Sequence, residues 1–226
     1  MSNTEHWQPA GLPETRTLEG RFVRLEKLDL ARHGDGLWGA LQGPGCDEKL
    51  WDYLPYGPFS ERAAFDEFLS SLQGGTDPWF YTVIDQQTGA TDGYLSLMSI
   101  IPAHGRIEIG HVTFAASMQR TPKGTEAVYL LARESFALGN RRLEWKCNGD
   151  NARSRRAAER FGFTYEGTFR QHMVVKGRNR NTAWYSIIDS EWPVLQNAFE
   201  TWLDTDNFEN DLQLKTLESC RGTHPQ

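Results

Sequence analysis

The stretch that decides the fold is Gln119-Arg120-Thr121-Pro122-Lys123-Gly124-Thr125-Glu126-Ala127. Ile107 to Ala115 before it reads as a strand. After it, Val128, Leu131, Ala132, Phe136 and Ala137 keep a helical period to about Leu138, where Gly139 stops the helix. Pro122, with φ fixed near −65°, suits a first helical turn. A turn of small residues entering a helix leaves outward-pointing amides that can cradle a phosphate or pyrophosphate, the helix dipole alone contributing about 0.3–1 kcal/mol. It is not a Walker loop, because Lys123 precedes Gly124. Taken alone, the string is equally an ordinary helix start.

Upstream, Trp79 to Ile84, Gly93 to Ile101 and Ile107 to Ala115 make a three-strand meander. Arg21 to Glu26 alternates apolar and polar as a half-buried strand does. Asp29 then caps a helix to about Leu41, and Ser60 opens an amphipathic helix that ends at Gly74-Gly75. The loop between these helices holds Trp51, Asp52, Tyr53, Tyr56 and Phe59 and has the composition of a binding lid. Downstream come a strand at Leu143–Cys147, a helix from Asn151 to Phe161 with Gly162 as its left-handed cap, a strand from Phe163, and a hairpin turning at Gly177-Arg178-Asn179. A last helix runs from about Glu191 to Leu203. Helices interspersed among mostly antiparallel strands predict an α+β fold rather than a doubly wound sheet. Residues 1–16 read as an N-terminal arm, 17–203 as the domain and 204–226 as a polar C-terminal tail.

The 226 residues are enough to bury a core without metal or disulfides. No apolar run reaches the roughly 18–20 residues of a spanning helix, and the N-terminus has no basic and apolar leader, so a cytoplasmic address is expected, with no membrane partner. Cys46, Cys147 and Cys220 are scattered and form no CxxC, which supports neither a disulfide scaffold nor a metal site. The net charge of −6 is uneven. Residues 141–180 carry eleven Lys and Arg against four acids, a local +7; elsewhere thirteen basic residues face twenty-six acidic ones, −13. One stretch wants an anion, and the rest disfavours long nucleic acid.

A second string, Cys147-Asn148-Gly149-Asp150-Asn151-Ala152-Arg153-Ser154, continues to Phe161-Gly162-Phe163 and Glu166-Gly167. Asn151 and Ser154 stand three apart at a helix start, where Asn151 serves as cap or as ligand. Together the two strings resemble the GNAT acyltransferase superfamily, and within it the Rim-type ribosomal-protein acetyltransferase branch. The first is similar to that family's acyl-CoA pyrophosphate loop, and the second to its N-x-x-S…G-F…E-G helix. The resemblance implies the GNAT fold, a mixed, mostly antiparallel twisted sheet with a splayed strand pair flanked by helices, and acetyl-CoA as cosubstrate with no metal. It places Gln119, Arg120, Thr121, Lys123, Gly124 and Thr125 at the pyrophosphate, largely through backbone amides. It also sets Val112, Thr113 and Phe114 beside the pantetheine arm, Asn151 on the pantetheine, Ser154 near the sulfur and Arg160 near the adenosine phosphates. Two positions depart from the family. Pro122 replaces the loop's first glycine and removes a donor, and Ala158 stands where many members carry a tyrosine that protonates the thiolate.

The implied reaction moves an acetyl group to a primary amine by direct attack, the amine being a protein N-terminus or a small molecule. A lysine-type amine is only about one part in a thousand neutral near pH 7.4, a deficit of roughly 4 kcal/mol, so a base is needed. Glu108, in Glu108-Ile109-Gly110-His111, resembles the base-bearing string of Rim-type sequences; a strand carboxylate paired with Arg106 or Arg24 is the other reading. His111 is the second candidate, but residues 108 and 111 face opposite ways unless a bulge intervenes. Trp51, Asp52, Tyr53 and Tyr56 either line an acceptor pocket whose acids favour a cationic amine or pack the helix junction. A non-catalytic acyl-CoA sensor is the alternative function. The family resemblance and Trp184, Trp192 and Trp202, which serve equally as core, leave room for a homodimer.

Overall fold

The protein is described from a computed structural model covering residues 7–209 and 212–222. Eight strands form one sheet: β1 (Leu18–Glu19), β2 (Val23–Lys27), β3 (Trp79–Asp85), β4 (Thr91–Ile101), β5 (Arg106–Phe114), β6 (Arg142–Asn148), β7 (Thr164–Val175) and β8 (Arg178–Ile188). Their order is β1-β2-β3-β4-β5-β6-β8-β7. The β5–β6 pair is parallel and the other neighbours are antiparallel. Five main helices accompany it: α1 (Leu30–Gln42), α2 (Arg62–Gln73), α3 (Pro122–Ala137), α4 (Ala152–Phe161) and α5 (Trp192–Leu203). This is the α+β architecture the element order predicts.

The two-residue period of the strands divides the interior. Leu25, Val83, Leu97, Ile109 and Leu143 face α3 and α5, meeting Leu131 and Phe199. Phe80 and Tyr94 face α1 and α2, meeting Leu37, Leu41, Phe65 and Leu69. Each large apolar side chain so buried contributes about 1.5–3 kcal/mol. Local signals set the helix ends. Asp29 accepts from the Arg32 amide at 2.9 Å and starts α1, and Gly162, at φ 95°, closes α4. A side chain at Gly162 would drive a Cβ to 2.5 Å from Leu195 Cδ2. Helix α2 begins at Arg62 rather than Ser60, and its cap residue Glu61 makes no side-chain cap bond.

Two irregularities in the middle of the sheet position everything that follows. Strands β5 and β6 pair only from Arg106↔Arg142 to Ile109↔Trp145, after which they part. Strands β4 and β5 pair Tyr94 with Thr113 but Ser96 with Gly110, so His111 and Val112 together oppose Leu95. His111 takes φ 52° to do so. That extra residue is a bulge, which bends β5 away from β6 and reverses the alternation of side chains beyond it.

The ends pack onto this frame. In the arm, the Ala10 amide donates to Pro102 O at 3.1 Å and the Gly11 amide to Leu138 O at 2.7 Å. The polar tail expected from residue 204 is built into the fold through residue 222. Strands β9 (Phe208–Glu209) and β10 (Leu212–Gln213) pair, and α6 (Leu217–Cys220) buries Leu217 fully in the main core. Asn207, also buried, donates to Trp202 O at 2.8 Å. Residues 1–6 of the arm, and residues 210–211 and 223–226 of the tail, lie outside the described residues.

Candidate active site

The gap where β5 and β6 separate is flanked by two helix starts. On one side α3 begins at Pro122 with Thr121 in the cap position, but the Thr121 hydroxyl donates back to Met118 O at 2.7 Å and makes no cap bond. The first-turn amides of Lys123 and Gly124 are therefore left without a side-chain acceptor among the described residues. Gly124 lies against the Phe114 ring, and Arg120 reaches the turn through a left-handed φ of 64°. Gln119 and Arg120 are exposed. The side chain of Lys123 turns the other way: its Nζ pairs with Asp85 and lies 3.2 Å from Asp92 Oδ2. Its part in an anion site is thus confined to its amide.

On the other side, Asn151 caps α4, its Oδ1 accepting from the Ser154 amide at 3.1 Å. The cap reading of Asn151 holds in the structure, and the Nδ2 of the same side chain is not used by that bond. Ser154 Oγ accepts from Trp145 Nε1 at 3.0 Å, which fixes the hydroxyl at the mouth of the gap next to Cys147. Burial pushes the Cys147 thiol up, so it is no activated nucleophile. Arg160 reaches from α4 to Thr125 Oγ1 at 2.9 Å and stacks over Trp202 at 5.1 Å, which brings both residues to the first turn of α3. Val112, Thr113 and Phe114 form the β5 wall, where the Thr113 hydroxyl donates to His111 O at 3.0 Å.

Glu108, Lys146 and Trp184 lie on the sheet face that α1 and α2 cover. Glu108 is 3% exposed. Its Oε2 takes Lys146 Nζ at 2.6 Å and the Ser99 hydroxyl at 3.1 Å, while its Oε1 points to the bare Cα of Gly110. The partner is thus Lys146, not Arg106 or Arg24, which pair with Glu144 and Glu26. Burial raises the Glu108 carboxyl above the usual carboxylate range against the opposing pull of Lys146 and Ser99. A Cβ at Gly110 would collide with Met98 Sδ, so glycine at this position makes room for the Met98 side chain beside Glu108.

The bulge brings His111 to this same face. Its Nδ1 shares a hydrogen bond with Tyr56 Oη at 2.8 Å, and its ring stacks on Tyr56 and packs on Phe80 at 5.1 Å. Burial pushes its pKa down to about 4. Glu108 and His111 share a face because the bulge supplies the reversal that an unbroken strand forbids.

The aromatic loop after α1 divides by burial. Trp51 is 1% exposed and packs edge-on against Phe59, so it holds the loop instead of lining a pocket. Tyr56 turns inward to His111. Tyr53, 38% exposed, donates to Asp150 O at 3.2 Å and ties the loop to the turn before α4, and Asp52 faces solvent. A residue that sequence reasoning did not single out completes the closure: Lys176, in the β7–β8 turn, donates to Trp51 O at 2.9 Å and Gly57 O at 2.7 Å. In the sequence, Lys146 and Lys176 are two of the eleven basic residues between 141 and 180. Their placement depends on strand pairing, which no local signal encodes.

Among the described residues no group of His, Cys, Asp and Glu is arranged to hold a metal ion, and no helix is long and apolar enough to cross a membrane. The model of the acetyltransferase (GNAT) domain matches residues 36–164. The GCN5-related N-acetyltransferase of Brucella melitensis is 46% identical, with a TM-score of 0.94, over 97% of this chain and 100% of that one. A probable GNAT-family acetyltransferase of Chromobacterium violaceum is 42% identical, with a TM-score of 0.80, over 85% and 96% of the two chains. The ribosomal L7/L12 α-N-protein acetyltransferase RimL shares the fold alone, at 21% identity and a TM-score of 0.65 over 76% and 94%. Among curated proteins none matches.

Proposed function

Because the chain belongs to the GNAT acetyltransferase family, we propose that it moves an acetyl group from acetyl-CoA to a primary amine by direct attack. The observation that carries this reading is the uncapped first turn of α3 opening onto the gap between β5 and β6. Its free amides fit a diphosphate, and the gap fits an extended arm lying beside Val112, Thr113 and Phe114. The amides of Lys123 and Gly124 hold the pyrophosphate, with Gln119, Arg120, Thr121 and Thr125 around it and Arg160 toward the adenosine phosphates. Asn151 Nδ2 serves the pantetheine. Acetyl-CoA supplies the activated thioester carbonyl.

The remaining steps belong to this chain. Glu108 Oε1, left free by Lys146 and Ser99, takes the amine's proton directly or through one water, and its raised pKa suits that task. A backbone amide near Phe114 polarises the carbonyl, and Ser154, oriented by Trp145, relays a proton: its hydroxyl gives one to the departing sulfur and regains the one that the newly bonded nitrogen sheds. The N–C bond forms as the C–S bond breaks; the products are the amide and the free thiol. Tyr56 and His111 form the side wall of the acceptor space, and the Lys176 contacts hold its roof.

Calorimetry with acetyl-CoA and thiol release across an amine panel test the proposal together. Binding with turnover is expected in the wild type. Glu108→Gln should keep binding and lose about 10²-fold or more in kcat, and Ser154→Ala should lose about tenfold. Absence of binding at millimolar acetyl-CoA overturns the cosubstrate, and binding without turnover of any amine leaves a sensor instead.

A further inference from the structure

From the charges that face the acceptor space, we infer that the amine acceptor carries a carboxylate close to its nucleophilic nitrogen. This rests on the acetyl-transfer reading above and adds the substrate class.

Strand pairing sets the charges. Lys146 pairs with Trp184 and Asn148 with Thr182, so on β8 the residues Arg180, Thr182 and Trp184 share the face of Lys146 and Glu108. Arg180 lies beyond the last β6–β8 pair, at the gap. Its Nε donates to Thr182 Oγ1 at 3.2 Å, which lays the side chain along that face, and its charge is felt by Glu108 and Cys147. Lys146 stacks over Trp184 at 4.5 Å and neutralises Glu108. The two buried carboxylates of this face are therefore already matched, Glu108 by Lys146 and Glu144 by Arg106 and Arg142. Arg180 is half-buried, and among the described residues no carboxylate lies within salt-bridge distance of it. Burial disfavours its charge. Of the described acidic side chains in the roof loop, Asp47 pairs with Arg153 and Asp52 is exposed.

A half-buried guanidinium without a counter-ion is costly, and a carboxylate offers its two oxygens in the geometry a guanidinium matches. The same wall repels polyamines and other polycations, contrary to the expectation that Asp52 and its neighbours favour a cationic amine. It also favours catalysis, because neighbouring positive charge lowers an ammonium pKa and raises the neutral fraction that attacks. Two sources present this chemistry: a free amino acid, and a peptide N-terminus with an acidic residue beside it.

The test compares matched acceptors by kcat/KM at fixed acetyl-CoA: serine against serinamide, Ser-Asp against Ser-Asn peptides, and spermidine as the cationic control. In the wild type, the carboxylate member of at least one pair is expected to lead by tenfold or more and spermidine to be poorest. Which pair shows the preference identifies the source. Arg180→Gln should bring that ratio to within about twofold of unity, Arg180→Lys should restore part of it, and the Kd for CoA should be unchanged in both. A preference for the uncharged or cationic acceptors in the wild type overturns the proposal without any variant, as does a carboxylate preference that survives Arg180→Gln. Turnover without charge preference leaves the acetyl-transfer reading standing. No turnover of any amine by protein that binds acetyl-CoA overturns that reading and this inference with it.

Discussion

Lys146 Nζ lies 2.6 Å from Glu108 Oε2 across the parallel β5–β6 pair. Glu108 faces Glu144 in register, and the next residue on the same face of β6 is Lys146, so the contact is a diagonal one fixed by the sheet. Burial raises the Glu108 carboxyl while Lys146 opposes the rise. The acid limb of kcat/KM should therefore lie above the ordinary glutamate value of about 4.3. Lys146→Met removes the opposing charge and should move the limb further up, with activity falling more at pH 6 than at pH 9. A limb that stays in place in this variant would remove Glu108 as the base.

His111 should mark the stability of the fold in acid. Its pKa is about 4 in the folded chain, against about 6.5 unfolded. Between those values the unfolded chain binds a proton that the native one does not. The stabilisation is complete above about pH 6.5 and is lost as pH falls toward 4, to a limit of a few kcal/mol. Urea midpoints at pH 7.5 and pH 5 should differ less in His111→Phe than in the wild type. The buried His33, whose pKa is also lowered by burial, keeps its share of the slope in both proteins. Equal slopes would mean that His111 is charged in the native state.

Gly93 should be intolerant of any side chain. It pairs with Phe114 at the bulged end of β4, at φ 146°, and an added Cβ would run into the Thr113 carbonyl and come within 3.0 Å of Phe114 Cα. Both obstacles are backbone, so the strand itself must move. Gly93→Ala should cost about 2–4 kcal/mol in denaturant unfolding and weaken acetyl-CoA binding, because the displaced strand is the wall expected beside the pantetheine.

Most of the fold was legible because local chemistry marks it. Asp29, Pro122, Asn151 and Gly162 occupy the cap or first-turn positions that their side chains and φ preferences predict. The splayed strand pair was expected only through the family resemblance of the two strings, since each taken alone reads as an ordinary helix start. The polarity of the tail left its order open, and it carries no local sign that Leu217 and Asn207 are buried. The acceptor side was least legible. The Glu108–Lys146 pair and the reach of Lys176 to Trp51 and Gly57 join residues 38 to 125 positions apart, and they exist only once strand order is set. The face of His111 could be stated only conditionally, because a one-residue bulge leaves no signature in composition.

Lys123 separates fold from binding at the phosphate turn. A lysine beside such a turn invites assignment as a phosphate ligand, yet its Nζ sits between Asp85 and Asp92, whose side chains are 5% and 9% exposed. Burial pushes the Asp85 carboxyl up, but Lys123 and the amides of Thr88 and Gln87 outweigh it, and the group ends below the usual range. Lys123→Met leaves two buried carboxylates facing each other and should cost about 2 kcal/mol or more in urea unfolding at pH 8. The loss should shrink as pH falls below the unfolded aspartate value of about 3.9, because that is where the wild-type advantage itself titrates away. The amide of residue 123 survives the substitution, so the Kd for acetyl-CoA should stay within about threefold. A tenfold weaker Kd with unaltered stability would put Nζ on the phosphate and release both aspartates from the role assigned to them.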